Sequence, residues 1–291
     1  MDKLQKMSNS NELLSMRQYV ADITKQGVFE INKFTMPLFY MNDKGYVDLA
    51  STSLLFSHND RYFVITTAHT LEWYNENLFF YYKDDVNLPL DGNWRIFKTA
   101  GSKDIGESRI DLGIIEIDSE VLKKIYEIYE FMKIDNIDFN PAIEKPQTYF
   151  LYGYPNSNTK IDKRTREIKS KPFIFTNPEH KDKSLYDKLG IHRNSHLLVE
   201  YDREQVIDPA IGIVTGKFPR GCSGCGLWLI PKVFYKIKEP VVPRLSGVLI
   251  EYYENSLNAL VTLRANLVLE VFKVKLGMEF DFEINSLIRL I

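Results

Sequence analysis

Two cysteines among 291 residues, Cys222 and Cys225, leave no disulfide framework. Also missing is any uninterrupted apolar stretch of the roughly 18 residues that a membrane span requires. The opening segment MDKLQKMSNSNELLSMRQYV lacks the apolar core and small-residue cleavage site of a secretory signal. Charge of one sign is not in excess: 37 Lys and Arg stand against 39 Asp and Glu, a formal net charge of −2. Nothing in that balance marks a binder of nucleic acid or of an acidic membrane surface. Internal repeats and low-complexity tracts are absent. The expectation is a soluble, cytoplasmic protein with reduced thiols, without nucleic-acid or membrane partners.

What the chain does have is bulk and short strands. At 44% hydrophobic and 13% aromatic residues, a chain this long buries about three quarters of its unfolded surface. Leu13, Met16, Val20 and Ile23 recur at helical spacing over 10–25, with Asn9 and Glu12 as a capping pair. After Gly27 come β-branched and aromatic runs: VFEI at 28–31, LFYM at 38–41, STSLLF at 51–56, YFVITT at 62–67 and LFFYY at 78–82. Asp118 is placed to cap a middle helix over 118–133, whose face carries Leu122, Ile125, Tyr126, Tyr129 and Met132. A second strand series covers 148–155, 171–175, 196–202, 211–215, 227–230, 246–253 and 259–263. A helix over 266–276 then ends before Gly277. The spacing predicts an all-β antiparallel protein in two subdomains. The boundaries fall at 1–27 (helical extension), 28–135 (first β unit with the middle helix) and 136–291 (second β unit with the closing helix). The basic stretch Lys160–Lys171 is expected at a solvated hairpin tip.

Three segments carry chemistry. TTAHTL places His69 just past a strand, RIDLGIIEI opens a strand with Asp111, and GCSGCGLW sets Ser223 among glycines before another strand. Each alone is commonplace, but the order His, Asp, Ser is specific to one of the three known triad arrangements. That arrangement separates its members by roughly 45 and roughly 93 positions. The first interval here is close to that, and the second is longer.

On these segments the chain resembles the chymotrypsin-fold (trypsin-like) serine peptidases of the bacterial intracellular type. TTAHTL is similar to the family's T-A-A-H-C/V, DLGIIEI to D-I-A-L-L-x-L, and GCSGCGLW to G-D/N-S-G-G-P-L; LYGYP at 151–155 and SGVLIEYY at 246–253 fit the same scheme. The resemblance implies two antiparallel six-stranded β-barrels over about 28–117 and 136–263, with N-terminal, middle and C-terminal helices. It implies a catalytic triad of His69, Asp111 and Ser223, and an oxyanion hole from the N–H groups of Gly221 and Ser223. It also places Lys217, Arg220, Glu251 and Tyr252 beside the substrate. No cofactor or metal is expected. Protein or peptide substrates are, together with a regulatory protein partner.

The residue types suit that chemistry. A serine hydroxyl needs an adjacent base to become a nucleophile. Imidazole takes and returns a proton near neutral pH, and a carboxylate fixes its tautomer. Lys217 and Arg220 favour an acidic group on the substrate, while Glu251 opposes it. Departures from the family pattern are Cys222 where Asp or Asn is usual, Cys225 for the second Gly and Gly226 for Pro. A thiol cannot pair with a newly cut N-terminus, so activation by such a cut is not expected. Two alternatives stand beside this reading: a catalytically silent barrel that binds peptides, and a zinc site of Cys222, Cys225, His192 and His196.

Overall fold

The strand runs form and curl into two antiparallel sheets in a computed structural model of the protein. It describes residues 25–74, 77–82, 86–98, 109–139, 147–162, 167–208, 212–230, 243–255 and 257–283. The first sheet holds β1 (Thr35–Met41), β2 (Val47–His58), β3 (Arg61–Thr66), β4 (Phe79–Tyr82), β5 (Val86–Pro89), β6 (Gly92–Lys98) and β7 (Asp111–Ile117). Their order is β5-β4-β1-β2-β3-β7-β6. After them come β8 (Thr148–Gly153), the hairpin β9 (Thr159–Ile161) and β10 (Ile168–Ser170), β11 (Phe173–Pro178), the short helix α4 (Ser184–Leu189) and β12 (His196–Glu200). A second hairpin follows, β13 (Val206–Asp208) and β14 (Gly212–Val214), then β15 (Gly226–Ile230), β16 (Arg244–Tyr253) and β17 (Ala259–Arg264). The second sheet runs β11-β8-β15-β16-β17-β12. Its end strands meet through a Glu179–Val199 bridge and the His180 N–H donating to Leu198 O at 2.8 Å.

Alternation along the strands explains the packing. On β3 and β7, Val64 and Ile115 join Leu55, Leu38 and Phe80 in an apolar cluster of the first sheet. The intervening Phe63, Ile65, Leu112 and Ile114 join Phe150, Trp228 and Val248 of the second sheet in a cluster shared by both. Leu151, Leu197, Leu227 and Leu249 form the second sheet's own cluster, which also takes in Cys222 and Cys225. The result is a double β-barrel with an apolar seam. Helix α5 (Ala265–Leu276) closes part of that seam, its Phe272 ring edge-on to Phe56 and Phe63 at 5.2 and 4.9 Å.

The architecture agrees with expectation, with differences in detail. The first sheet has seven strands rather than six, because β5 adds to the edge of β4 and ends on Pro89, a residue that only edges tolerate. VFEI is helical, within α1 (residues 25–32). Here amphipathic packing overrides β propensity: Ile31 is fully buried, and a Cβ on Gly27 would lie 3.0 Å from the Phe150 ring. The periodic stretch 10–23 lies outside the described residues. The middle helix α3 (Ser119–Tyr126) is capped by Asp118 as expected but stops at Glu127. Met132 instead makes a strand-like bridge to Phe56. The basic stretch forms β9 and β10, with its tip at 163–166 outside the described residues. Gly277 ends α5 at φ +63°.

Candidate active site

Position 69 follows directly from β3. The strand ends at Thr66, and the helix α2 (Ala68–Tyr74) begins two residues later. That helix can sit hard against β7 because position 113 is glycine; a Cβ there would lie 2.7 Å from Thr67 O and 2.8 Å from Leu71. Thr66 pairs with Gly113, so continuing that register sets Asp111, the first residue of β7, across from Ala68 and next to His69. Its carboxylate takes both N–H groups of that residue. Oδ1 accepts from the His69 backbone N–H at 3.0 Å and Oδ2 from Nδ1 at 2.6 Å. A carboxylate oxygen can only accept, so the ring proton is on Nδ1 and Nε2 carries the lone pair. Nε2 has the Thr67 hydroxyl at 3.3 Å. The ring is 20% exposed. Trp73, 71% exposed, leans over it at 4.7 Å between ring centroids.

Ser223 sits in the tight loop before β15. Gly221 and Gly224 take φ +95° and +83° there, a region that costs side-chain-bearing residues about 1–2 kcal/mol. Within the loop, Cys222 N–H donates to Pro219 O, Gly224 N–H to Leu249 O and Cys225 N–H to Cys222 O. The N–H groups of Gly221 and Ser223 donate to no acceptor among the described residues. Two unclaimed amides thus flank a half-buried serine hydroxyl.

The loop is fastened to the first barrel chiefly through Thr52. Its N–H donates to Ser223 O at 3.0 Å, its hydroxyl donates to Gly221 O at 2.9 Å, and the Thr52 Oγ1 itself accepts from Tyr154 N–H at 2.9 Å. Thr52 O in turn accepts from the Thr66 hydroxyl. A Cβ on Gly224 would lie 3.0 Å from Thr66 Cα, so the serine loop rests on the residue three before His69. Among the described residues no hydrogen bond joins Ser223 Oγ to His69 Nε2. Such bonds are often long without substrate and tighten in the reacting complex. Sequence reasoning missed Thr52; the signal available was three consecutive hydroxyl residues, Ser51 to Ser53, on an otherwise apolar strand.

Around the loop, Lys217 and Arg220 expose their side chains while their carbonyls accept from Tyr201 OH at 2.5 Å and Asn156 N–H at 2.8 Å. Tyr252 packs edge-on between Phe218 and Tyr201, at 5.6 and 5.5 Å; burial, then the Glu254 charge, pushes its phenol up to about 12. The Glu251 carboxylate accepts from Tyr253 OH at 2.8 Å and lies 3.8 Å from the Arg109 guanidinium.

The zinc alternative does not assemble. Both cysteines are fully buried in the second barrel's apolar cluster and unbonded, and burial pushes the Cys225 thiol well up. The His196 ring is engaged elsewhere, with Nδ1 2.8 Å from Ser195 Oγ and Nε2 2.8 Å from Arg109 O. Among the described residues no three His, Cys, Asp or Glu side chains converge.

His196 also yields a pH prediction. Burial, with the charges of Arg264, His192 and Arg109 adding to it, pushes its pKa down from 6.5 to about 4, against the hydrogen bond to Arg109 O. The unfolded chain takes up a proton at this ring below about pH 6.5, and the folded protein only near 4. Stability is therefore lost as pH falls through that window, by roughly 3 kcal/mol at most from this group. Urea unfolding at pH 6.5 and 4.5 should show a smaller loss in His196→Gln than in the wild type.

No family model and no curated protein matches the chain. Similar solved structures include the protease Anisep from Arthrobacter nicotinovorans, at 12% identity, 84% of this chain, 96% of that one and TM-score 0.48. The scabies mite inactivated protease paralogue S-D1 gives 13%, 88%, 94% and 0.47. The thermostable serine protease AL20 from an extremophilic microorganism gives 14%, 80%, 91% and 0.43. At these scores the fold rests on the strand order and seam described above.

Proposed function

We propose that the protein is a serine endopeptidase working through His69, Asp111 and Ser223. The observation that carries this is the grip of the Asp111 carboxylate on both N–H groups of His69, which leaves Nε2 as a base. Ser223 Oγ attacks the scissile carbonyl carbon as its proton passes to His69 Nε2. The carbonyl oxygen becomes an oxyanion that accepts from the Gly221 and Ser223 N–H groups, each such donor being worth about 3 kcal/mol. Asp111 stabilises the imidazolium without taking its proton. His69 then protonates the departing amine, leaving a Ser223 ester that water, deprotonated by the same imidazole, hydrolyses.

Exposed Lys217 and Arg220 support substrates bearing an acidic group near the scissile bond, all the more because Glu251 is engaged by Tyr253 and Arg109. Two unbonded thiols support a reducing compartment, the cytoplasm, where control by a partner protein would restrain the activity. An activated aryl ester tests the chemistry. Wild type should release a burst of phenol close to one per chain before steady turnover, and Ser223→Ala none. A burst surviving in Ser223→Ala would refute the assignment.

A further inference from the structure

We infer that His196, on the second barrel, is a positioning residue for the triad's carboxylate: its Nε2–H holds the carbonyl of Arg109, two residues before Asp111. This rests on the triad reading above. Asp111 accepts only from His69 among the described residues, so no other side chain aims its carboxylate. Its placement therefore follows the backbone at the start of β7. There Lys98 of β6 pairs with Asp111 on one side, and the segment leading in is held by Ile110, buried in the cluster shared by both sheets, and by what holds Arg109. Among the described residues two ties hold Arg109, both to the second barrel. The Arg109 carbonyl is 2.8 Å from His196 Nε2, and its guanidinium donates to Tyr253 OH at 2.7 Å, with Glu251 at 3.8 Å.

The anchor itself is rigid. His196 is fully buried at the start of β12 and pairs with Leu263 of β17. Its N–H and that of Ser195 donate to His192 O at 2.8 and 3.1 Å. Arg264 Nε donates to His196 O at 3.0 Å and Arg264 N–H to Ser195 O at 2.8 Å. The tautomer follows from chemistry alone. A carbonyl oxygen only accepts, so Nε2 carries the proton; in a neutral ring Nδ1 is then the acceptor, and the Ser195 hydroxyl, 2.8 Å away, donates to it while sharing its one proton with His192 O at 3.0 Å. Ser195 thus holds the ring in the form that can hold Arg109. The catalytic base comes from one barrel, and the acid that orients it is steadied by the other.

The experiment uses the full chain, with Ser223→Ala first establishing that the measured hydrolysis depends on Ser223. If it does not, the triad reading fails, independently of His196. Given that dependence, His196→Leu should lower kcat by about tenfold or more with KM changed by less than about threefold, since displacing a reacting group by about 1 Å costs up to a hundredfold. His196→Gln, whose amide N–H can reach the same carbonyl, should recover most of that loss. Arg109→Ala, which keeps the carbonyl, should lose less than His196→Leu. In proton NMR the low-field resonance of the His69 Nδ1 proton should broaden or shift in His196→Leu and return in His196→Gln. If His196→Leu does not fold, Ser195→Ala takes its place, with a smaller loss of about threefold in kcat and the same change at His69. Unchanged kcat and an unmoved His69 resonance in a folded variant, or a loss that His196→Gln does not restore, would overturn the inference.

Discussion

Replacing Ser223 by alanine is expected to lower kcat by about 10⁴- to 10⁶-fold, with His69→Ala costing a similar factor and the double variant little more than either alone. Members of a triad act as a unit, because the base has nothing to activate without the hydroxyl and the hydroxyl stays protonated without the base. Asp111→Asn should leave the fold intact and still cost about 10⁴-fold. An amide in place of the carboxylate can present its NH₂ to Nδ1 and draw the ring proton to Nε2, where the base is needed. On the proposed mechanism, the residual rate expected in all these variants is the contribution of the Gly221 and Ser223 amides. Steady-state kinetics on the three single variants and the His69/Ser223 double decides this. Independent, multiplying losses would break the assignment.

The second large effect belongs to Gly224. Alanine there must adopt φ near +83°, and its Cβ would fall 2.2 Å from Thr52 O and 2.5 Å from Thr66 Oγ1. The first of these is backbone and cannot swing aside. Backbone strain of about 1–2 kcal/mol adds to the displacement of the loop, for a total of about 3 kcal/mol or more in stability. The displacement also moves Ser223 relative to His69, so kcat/KM should fall about a hundredfold in whatever protein folds. Gly190→Ala is the control. Its φ is +62°, but no atom lies within 4 Å of the new Cβ, so it should cost about 1 kcal/mol and leave activity alone. Equal losses in the two variants, by urea unfolding and by rate, would mean that the Thr52 contact does not place the loop.

The strands and the three chemical segments could be read from the sequence because their signals are local. Alternating apolar runs such as YFVITT and DLGIIEI announce themselves within a few residues, and the helix before Gly277 ends on a C-terminal glycine of the expected kind. VFEI looks like a strand and folds as a helix: its composition is the same whether Ile31 packs from a strand or from a helix. What decides is Phe150, more than a hundred positions away. β6 escaped because its side chains are mostly exposed, so no burial pattern marks it; it forms through its ladder with β7. The supports of the site were illegible for the same reason. Thr52 meets Gly221 across 169 positions and His196 meets Arg109 across 87. In sequence His196 has the spacing of a metal ligand with His192, and only the fold gives both its nitrogens other partners.

Whether Ser223 is a nucleophile activated by His69 is decided by its reaction with a fluorophosphonate. Intact mass after incubation should rise by one phosphonyl group per chain, peptide mapping should place it on Ser223, and His69→Ala should react far more slowly. No adduct on the folded protein, an adduct on another residue such as Thr67, or labelling of Ser223 at the same rate without His69 would rule out that role for the pair.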